Sequence, residues 1–290
     1  MTFRHLRIFI AVCDTMNMTV AAEHLFMSQP AVSQAISDLE KHYGVRLFER
    51  LSRKLYLTQA GRKLLISARQ ILHMNRHMEN EMRNLLEGAL IRIGASVTIG
   101  AYVLPKLVAH FKSEHTQVQV QVVEDNTTQI EKLILKDQLD LALVEGETTA
   151  SELVLTPFLE DELILICGTD HPFASLSSVR PEMLQKEAII IREKGSGTRK
   201  TFEDAMAAAN LSWRPSWTCN NADTIKMAVA EGLGISVISR RAVAREVAAG
   251  WLHIKKVDGL SFKRQFKLIY HQNKYLTEAM TAFITLATEK

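Results

Sequence analysis

The sequence predicts an α + α/β chain: a helical N-terminal head, one long helix, and an α/β C-terminal half. Three observations carry this. Early in the chain, apolar residues recur at helical spacing, first Leu6, Phe9, Ile10 and Cys13, then Val32, Ile36 and Leu39. Between Leu64 and Leu85 they alternate steps of four and three. From Leu90 onward, short apolar runs (LIRIGAS, VQVQVVE, LDLALVEG, ELILICG, AIIIRE, GISVIS) alternate with helical stretches, the texture of an α/β fold with largely parallel sheets.

Composition sets the outer limits. The 290 residues are 47% hydrophobic and 23% charged, enough for two or three packed units of an ordinary globular protein. A net charge of +3 permits a nucleic-acid partner without implying one, so the distribution of charge must decide. Cys13, Cys167 and Cys219 are far apart and include no CxxC pair, which argues against a disulfide framework and fits a reducing cytoplasm. The run Ile8 to Cys13 is too short for a signal-peptide core, and no stretch is long enough to cross a bilayer. A cytoplasmic protein without a membrane partner is expected.

In the head, Thr19 is the expected N-cap of a short helix, Val20 to Leu25, whose Ala21 and Ala22 allow close helix approach. Next comes FMSQPAVSQAISDLEKHYGVRLFER. Ser28 can cap a helix with Pro30 in its first turn, and Gly44 ends it. Gln29, Ser33, Gln34 and Ser37 fall on its polar side. Two short helices joined by a tight turn, the second polar outward, suit the DNA major groove. In LFERLSRKLYLT, Arg50, Arg53 and Lys54 sit between apolar flanks and read as a β-hairpin wing that lays cations along a phosphate backbone.

SQPAVSQAISDLEKHYGVRLFERLSRKLYLTQAG closely resembles the DNA-binding segment of LysR-type transcriptional regulators, with matching spacing from Phe3 to about Gly61. The resemblance implies a winged helix-turn-helix over 1–58, a linker helix over 59–89 and an effector-binding domain over 90–290. By matching positions, Gln29, Pro30, Ser33 and Gln34 would face the groove, with Arg50, Arg53 and Lys54 on phosphates.

Thr58 can cap the long helix, whose seam is Leu64, Ala68, Ile71, Asn75, Met78, Met82 and Leu85. A single stripe with polar remaining faces suits a helix paired with a copy of itself, and Asn75 would fix the register. A homodimer on a dyad operator follows, and the expected assembly is a tetramer.

For the C-terminal half, the resemblance implies two subdomains like those of periplasmic solute-binding proteins: 90–161 with 266–290, and 162–265, with an effector in the cleft. Ligands of open α/β sheets sit beyond the carboxyl ends of strands. Three such turns stand out: Ser96 to Thr98, ahead of a helix near Gly100; Val144 to Gly146; and Gly195 to Arg199, ahead of a helix near Lys200. Ser96, Thr98, Ser196, Gly197 and Thr198 can surround a small oxyanion with hydroxyls and amides, and Arg199 could add charge or instead pair with Glu145. Glu145, also placed at the effector site, would repel an anion unless paired or protonated, and could instead receive a cation or a protonated ligand. REKGSGTR, GASVTIGAYVLP and LVEGE are most similar to the LysR branch tied to sulfur assimilation, which points to sulfite, sulfate or a related oxyanion as effector.

An enzyme is not expected. The glycine loop lacks P-loop and dinucleotide spacing, there is no HExxH or GxSxG, and the histidines lack metal-ligand spacing. No cofactor or metal follows from these residues. Cys167 and Cys219 read as small buried hydrophobes. A free-standing solute receptor is the remaining alternative, but it leaves the cations beside the Gln-rich helix without a purpose.

Overall fold

The computed structural model describes residues 1–51, 54–84 and 90–289. The chain divides into two compact units, Met1–Glu87 with Asn273–Tyr275, and Gly88–Gln272 with Leu276–Lys290.

In the first unit, α1 (Phe3–Thr15), α2 (Met18–His24) and α3 (Gln29–Tyr43) enclose one apolar core built on Leu6, Phe9, Val12, Val32, Ile36 and Leu39. The cap of α2 differs from the expected Thr19. Asn17 holds that place, its side-chain oxygen accepting from the Thr19 and Val20 amides, so the helix starts at Met18. A short amide side chain in extended backbone reaches both unpaired N–H groups of the first turn. Ala21 and Ala22 are buried where α2 meets its neighbours. Pro30 lies in the first turn of α3, and Gly44 closes it at φ 67°.

β1 (Phe48–Leu51) and β2 (Lys54–Leu57) pair antiparallel as the wing. Thr58 then accepts from the Gly61 amide and donates to the Arg46 carbonyl, starting α4 (Gln59–Asn84). The expected seam of α4 splits in two. Leu64 and Ala68 pack into the head's own core, because α1 lies along this part of the helix. Farther on, Ile71, Met74, Met78 and Met82 are exposed, and Asn75 donates to Glu79 within the helix. Leu85 lies outside the described residues.

The second unit begins with β3 (Leu90–Ser96), α5 (Val97–Tyr102), α6 (Leu104–Glu114), β4 (Gln119–Asp125), α7 (Thr127–Leu135) and β5 (Leu141–Glu145). β3 is flanked by β4 and β5, both parallel to it. β6 (Leu153–Gly168) then crosses into a second half, formed by β7 (Ser178–Val179), β8 (Ile189–Arg192), α8 (Gly197–Ala208), β9 (Pro215–Cys219), α9 (Ala222–Ala230), β10 (Ser236–Ser239), α10 (Ala244–Ala248) and β11 (Leu252–Val257). β12 (Lys263–His271) returns to the first half, where α11 (Glu278–Thr288) covers the core.

The expectation of largely parallel sheets is corrected. β12 is antiparallel to β5 and β6, and β10 and β11 are antiparallel to β6. Among the described residues, parallel pairing is confined to β3 with its neighbours, β8 with β9, β7 with β11, and an isolated bridge between Ile189 and Ile235. The cause is the double crossing: a strand leaving one half lies beside the strand coming back. β6 serves both halves. From Leu153 to Glu162 it pairs with β12, and from Leu163 to Gly168 with β10 and β11. Its second stretch reads LILICG because both faces are buried: Leu163, Leu165 and Cys167 enter one core, Ile164 and Ile166 another. At Pro157, which cannot donate to the ladder, the register shifts and Phe158 is the extra residue.

Two helix starts are earlier than expected. α5 begins at Val97, not near Gly100, and α8 at Gly197, not near Lys200. Ser96 and Ser196 already have extended backbone and occupy the N-cap positions, so each helix starts at the next residue.

A Cβ on Gly61 would stand 2.3 Å from the Leu47 carbonyl oxygen and 2.6 Å from Leu57, where α4 passes over the wing. Gly61→Ala is therefore expected to destabilise the head by about 1–3 kcal/mol. Denaturant unfolding of the full chain, read on the head's helices, measures this; an unchanged midpoint would contradict the close contact.

Candidate functional sites

On the head, Gln29, Arg50 and Lys54 come together. With Thr19, Met18 and Tyr56 they line a groove of about 740 Å³ between the turn joining α1 to α2, the start of α3 and the wing. Arg50 and Lys54 are exposed cations on neighbouring strands. Pro30 and Gln34 are exposed on α3 and Ser33 is half-buried, but none of the three lines this groove. Gln34 donates to Asp38 one turn along (2.8 Å), which fixes its amide on the helix surface. Arg53 lies outside the described residues.

In the second unit, the ends of β3 and β5, the loop before α8, and the crossing strands meet. The Gly195 carbonyl accepts from the Thr128 amide at 3.2 Å, which ties the glycine loop to the start of α7. Gly146 and Gly197 touch backbone to backbone: a Cβ on Gly146 would lie 3.3 Å from the Gly197 Cα. A Cβ on Gly197 would lie 2.1 Å from the Glu145 carbonyl oxygen, so no side chain fits there.

Glu145 is 1% exposed. Its partner is a residue that the sequence did not single out. Arg264, on β12, places Nη2 2.8 Å from Glu145 Oε2 and 2.8 Å from Asp161 Oδ2. Its Nε donates to Asp161 (2.8 Å) and its Nη1 to Thr198 Oγ1 (3.0 Å). Thr198 in turn donates to Glu145 at 3.5 Å. Ser239 donates to the other Asp161 oxygen (2.7 Å), which also faces Arg241 at 3.4 Å. The guanidinium of Arg264 lies over the Phe266 ring. Two buried carboxylates thus share one buried cation, and Asp161 also faces a second, partly exposed one.

The pairing considered for Arg199 with Glu145 is not formed. Arg199 turns into its own half, donating to Glu203 (2.7 Å), lying over Trp213, and reaching the Arg192 carbonyl. It sits at i with Glu203 at i+4, the spacing at which helical side chains meet. Ser96 and Ser196 are buried, and the hydroxyl of each has no hydrogen-bond partner among the described residues. Thr98 is also buried. Burial pushes the thiols of Cys167 and Cys219 up, with Lys255 and Arg192 respectively opposing, so both behave as small apolar groups.

Removing Arg264 leaves two buried carboxylates without their shared cation. Arg264→Leu is expected to cost about 3–5 kcal/mol, and adding Glu145→Gln to restore part of that. Chemical unfolding of the single and double variants tests the network; equal stability of Arg264→Leu and wild type would refute it.

Comparisons with known proteins follow the same division of the chain. Residues 3–62 match the family model "Bacterial regulatory helix-turn-helix protein, lysR family", and residues 86–290 match "LysR substrate binding domain". A "Probable RuBisCO transcriptional regulator" of Cyanophora paradoxa is 35% identical over 291 residues, covering 97% of this chain and 90% of the relative. "HTH-type transcriptional regulator CysL" of Bacillus subtilis is 32% identical over 284 residues, covering 97% and 95%. Among solved structures, full-length OxyR from Pseudomonas aeruginosa superimposes with a TM-score of 0.66 at 22% identity, covering 99% of this chain and 93% of that one, a likeness of fold. The Synechocystis CcmR regulatory domain in complex with 2-PG gives 0.64 at 28% identity, covering 69% and 96%.

Proposed function

The chain belongs to the LysR family, so it is a DNA-binding transcriptional regulator with an effector-binding domain and not an enzyme, and from that premise we propose how its two sites divide the work. Gln29, Pro30, Ser33 and Gln34 read base edges in the major groove of a dyad operator, while Arg50, Arg53 and Lys54 hold phosphates. A homodimer joined along α4 presents two heads, and two such pairs form a tetramer in the cytoplasm. The exposed stripe Ile71, Met74, Met78 and Met82 supports the pairing. Our division is 1–58 for the head, 59–89 for the linker and 90–290 for the effector domain, with halves 90–161 plus 266–290 and 162–265.

The effector is a small oxyanion, sulfite or sulfate first, received by Ser96, Thr98, Ser196, Gly197 and Thr198. One observation carries this reading: two buried serine hydroxyls, at the N-caps of α5 and α8, lack partners. Buried polar groups are rarely left so, and an oxyanion accepts from hydroxyls and first-turn amides alike. The likeness of REKGSGTR, GASVTIGAYVLP and LVEGE to the sulfur-assimilation branch supports the sulfur chemistry. Glu145 does not stand against it, because Arg264 balances its charge. Arg199, committed to Glu203, acts on the shape of the loop and not on the ligand. A second reading, 2-PG as the effector, rests on the CcmR regulatory domain in complex with 2-PG.

Calorimetric titration of the full chain with sulfite, sulfate, phosphate and 2-PG separates these. Binding of one of them, weakened about fivefold or more by Ser96→Ala or Ser196→Ala, is the expected result. Heat changes that ignore both substitutions, or no binding of any of the four, would end the oxyanion reading. On the DNA side, Arg50→Ala should weaken binding on all sequences and lower the salt slope by about one; gel retardation over a salt series reads both.

A further inference from the structure

Phe26 stands between α2 and α3 and is 97% exposed. Its neighbours behave differently: Leu25 and Met27 both pack against the head's core. The backbone at Phe26 is left-handed, φ 53°. That conformation suits glycine or asparagine and penalises a bulky side chain. The turn has little freedom to relax it. The Leu25, Phe26 and Met27 amides donate to Ala21, Glu23 and Ala22 at 2.9–3.1 Å, so backbone bonds clamp the loop and fix the direction of the Phe26 Cα–Cβ bond. Backbone conformation and solvation therefore both oppose a phenylalanine here, and nothing within the head repays either. Such a conflict between residue and local structure points to function.

Position supplies the partner. Phe26 precedes the N-cap Ser28 by two residues and the groove-lining Gln29 by three, at the end of the recognition helix that contacts bases in helix-turn-helix proteins. It therefore borders the DNA-binding face of this family, and Ser28 makes no side-chain cap bond that would occupy the site. The one apolar group that double-stranded DNA offers in the major groove is the thymine methyl. Resting on the reading of α3 as the helix that enters the major groove, we propose that Phe26 is a specificity residue whose ring packs against a thymine 5-methyl group at the edge of each operator half-site. The preset backbone delivers the ring without loss of loop entropy on binding. Unlike Arg50 and Lys54, it contributes sequence preference and no counterion release.

The test uses full-length protein and DNA enriched by the wild type from a random-sequence pool. In the enriched site each thymine is replaced in turn by deoxyuridine, which removes only the methyl group. Wild type is expected to lose about fourfold in affinity at one symmetric thymine pair position per half-site. Phe26→Asn, which keeps the left-handed turn, should bind the enriched site more weakly, show no response to that replacement, and keep the wild-type salt slope. Phe26→Ala gives a second reading of the same loss, and thermal unfolding checks that both variants remain folded. The proposal is overturned if Phe26→Asn binds the enriched site as tightly as wild type. It is equally overturned if the variant retains the deoxyuridine response, or weakens as much on unrelated DNA as on the enriched site.

Discussion

The arrangement of the C-terminal unit depends on one buried contact, Arg264 with Asp161 on the crossing strands β12 and β6. These residues are register partners, so the ion pair is held by the ladder before any loop is placed. From that anchor the guanidinium reaches two further elements, Glu145 at the end of β5 and Thr198 in the first turn of α8. Breaking a buried pair by removing one member costs far more than the pair contributes net, because the survivor stays unsolvated. The cluster therefore defines which loops must be adjacent more than it adds stability.

Its charge balance also shapes the chemistry beside it. Asp161 and Glu145 consume the charge of Arg264, with Arg241 on the outer side of Asp161. Arg199 is consumed by Glu203 and Arg192 by Glu193. At the proposed effector site this leaves hydroxyls and backbone dipoles, which select by shape and hydrogen-bonding capacity where a free cation would attract any anion.

How much could be read from the sequence follows from the range of the interactions. The head was readable because its signals are local: Pro30 behind Ser28, Gly44 at the end of a helix, Gln29 and Gln34 on the face opposite Val32 and Ile36. Even there, Asn17 and Thr19 both suit a cap, and only geometry chose between them. Ser96 and Ser196 announced themselves by lying at strand-to-helix turns. Arg264 did not. It sits in a strand of ordinary amphipathic texture, and its partner Asp161 is 103 residues away. The first stretch of β6 was hidden likewise, since Pro157 and the charges after it disguise a continuous strand. In the linker, periodicity reports an apolar face but not what covers it; Leu64 and Ala68 are covered by the head.

Gly146 and Gly197 meet with main chain alone on both sides. A mechanical stop made of backbone cannot be reset by changing a rotamer. Side chains around it can therefore vary while the closest approach of the two loops stays constant. If the proposed effector is held here, its preference can change through those side chains on one unchanged scaffold.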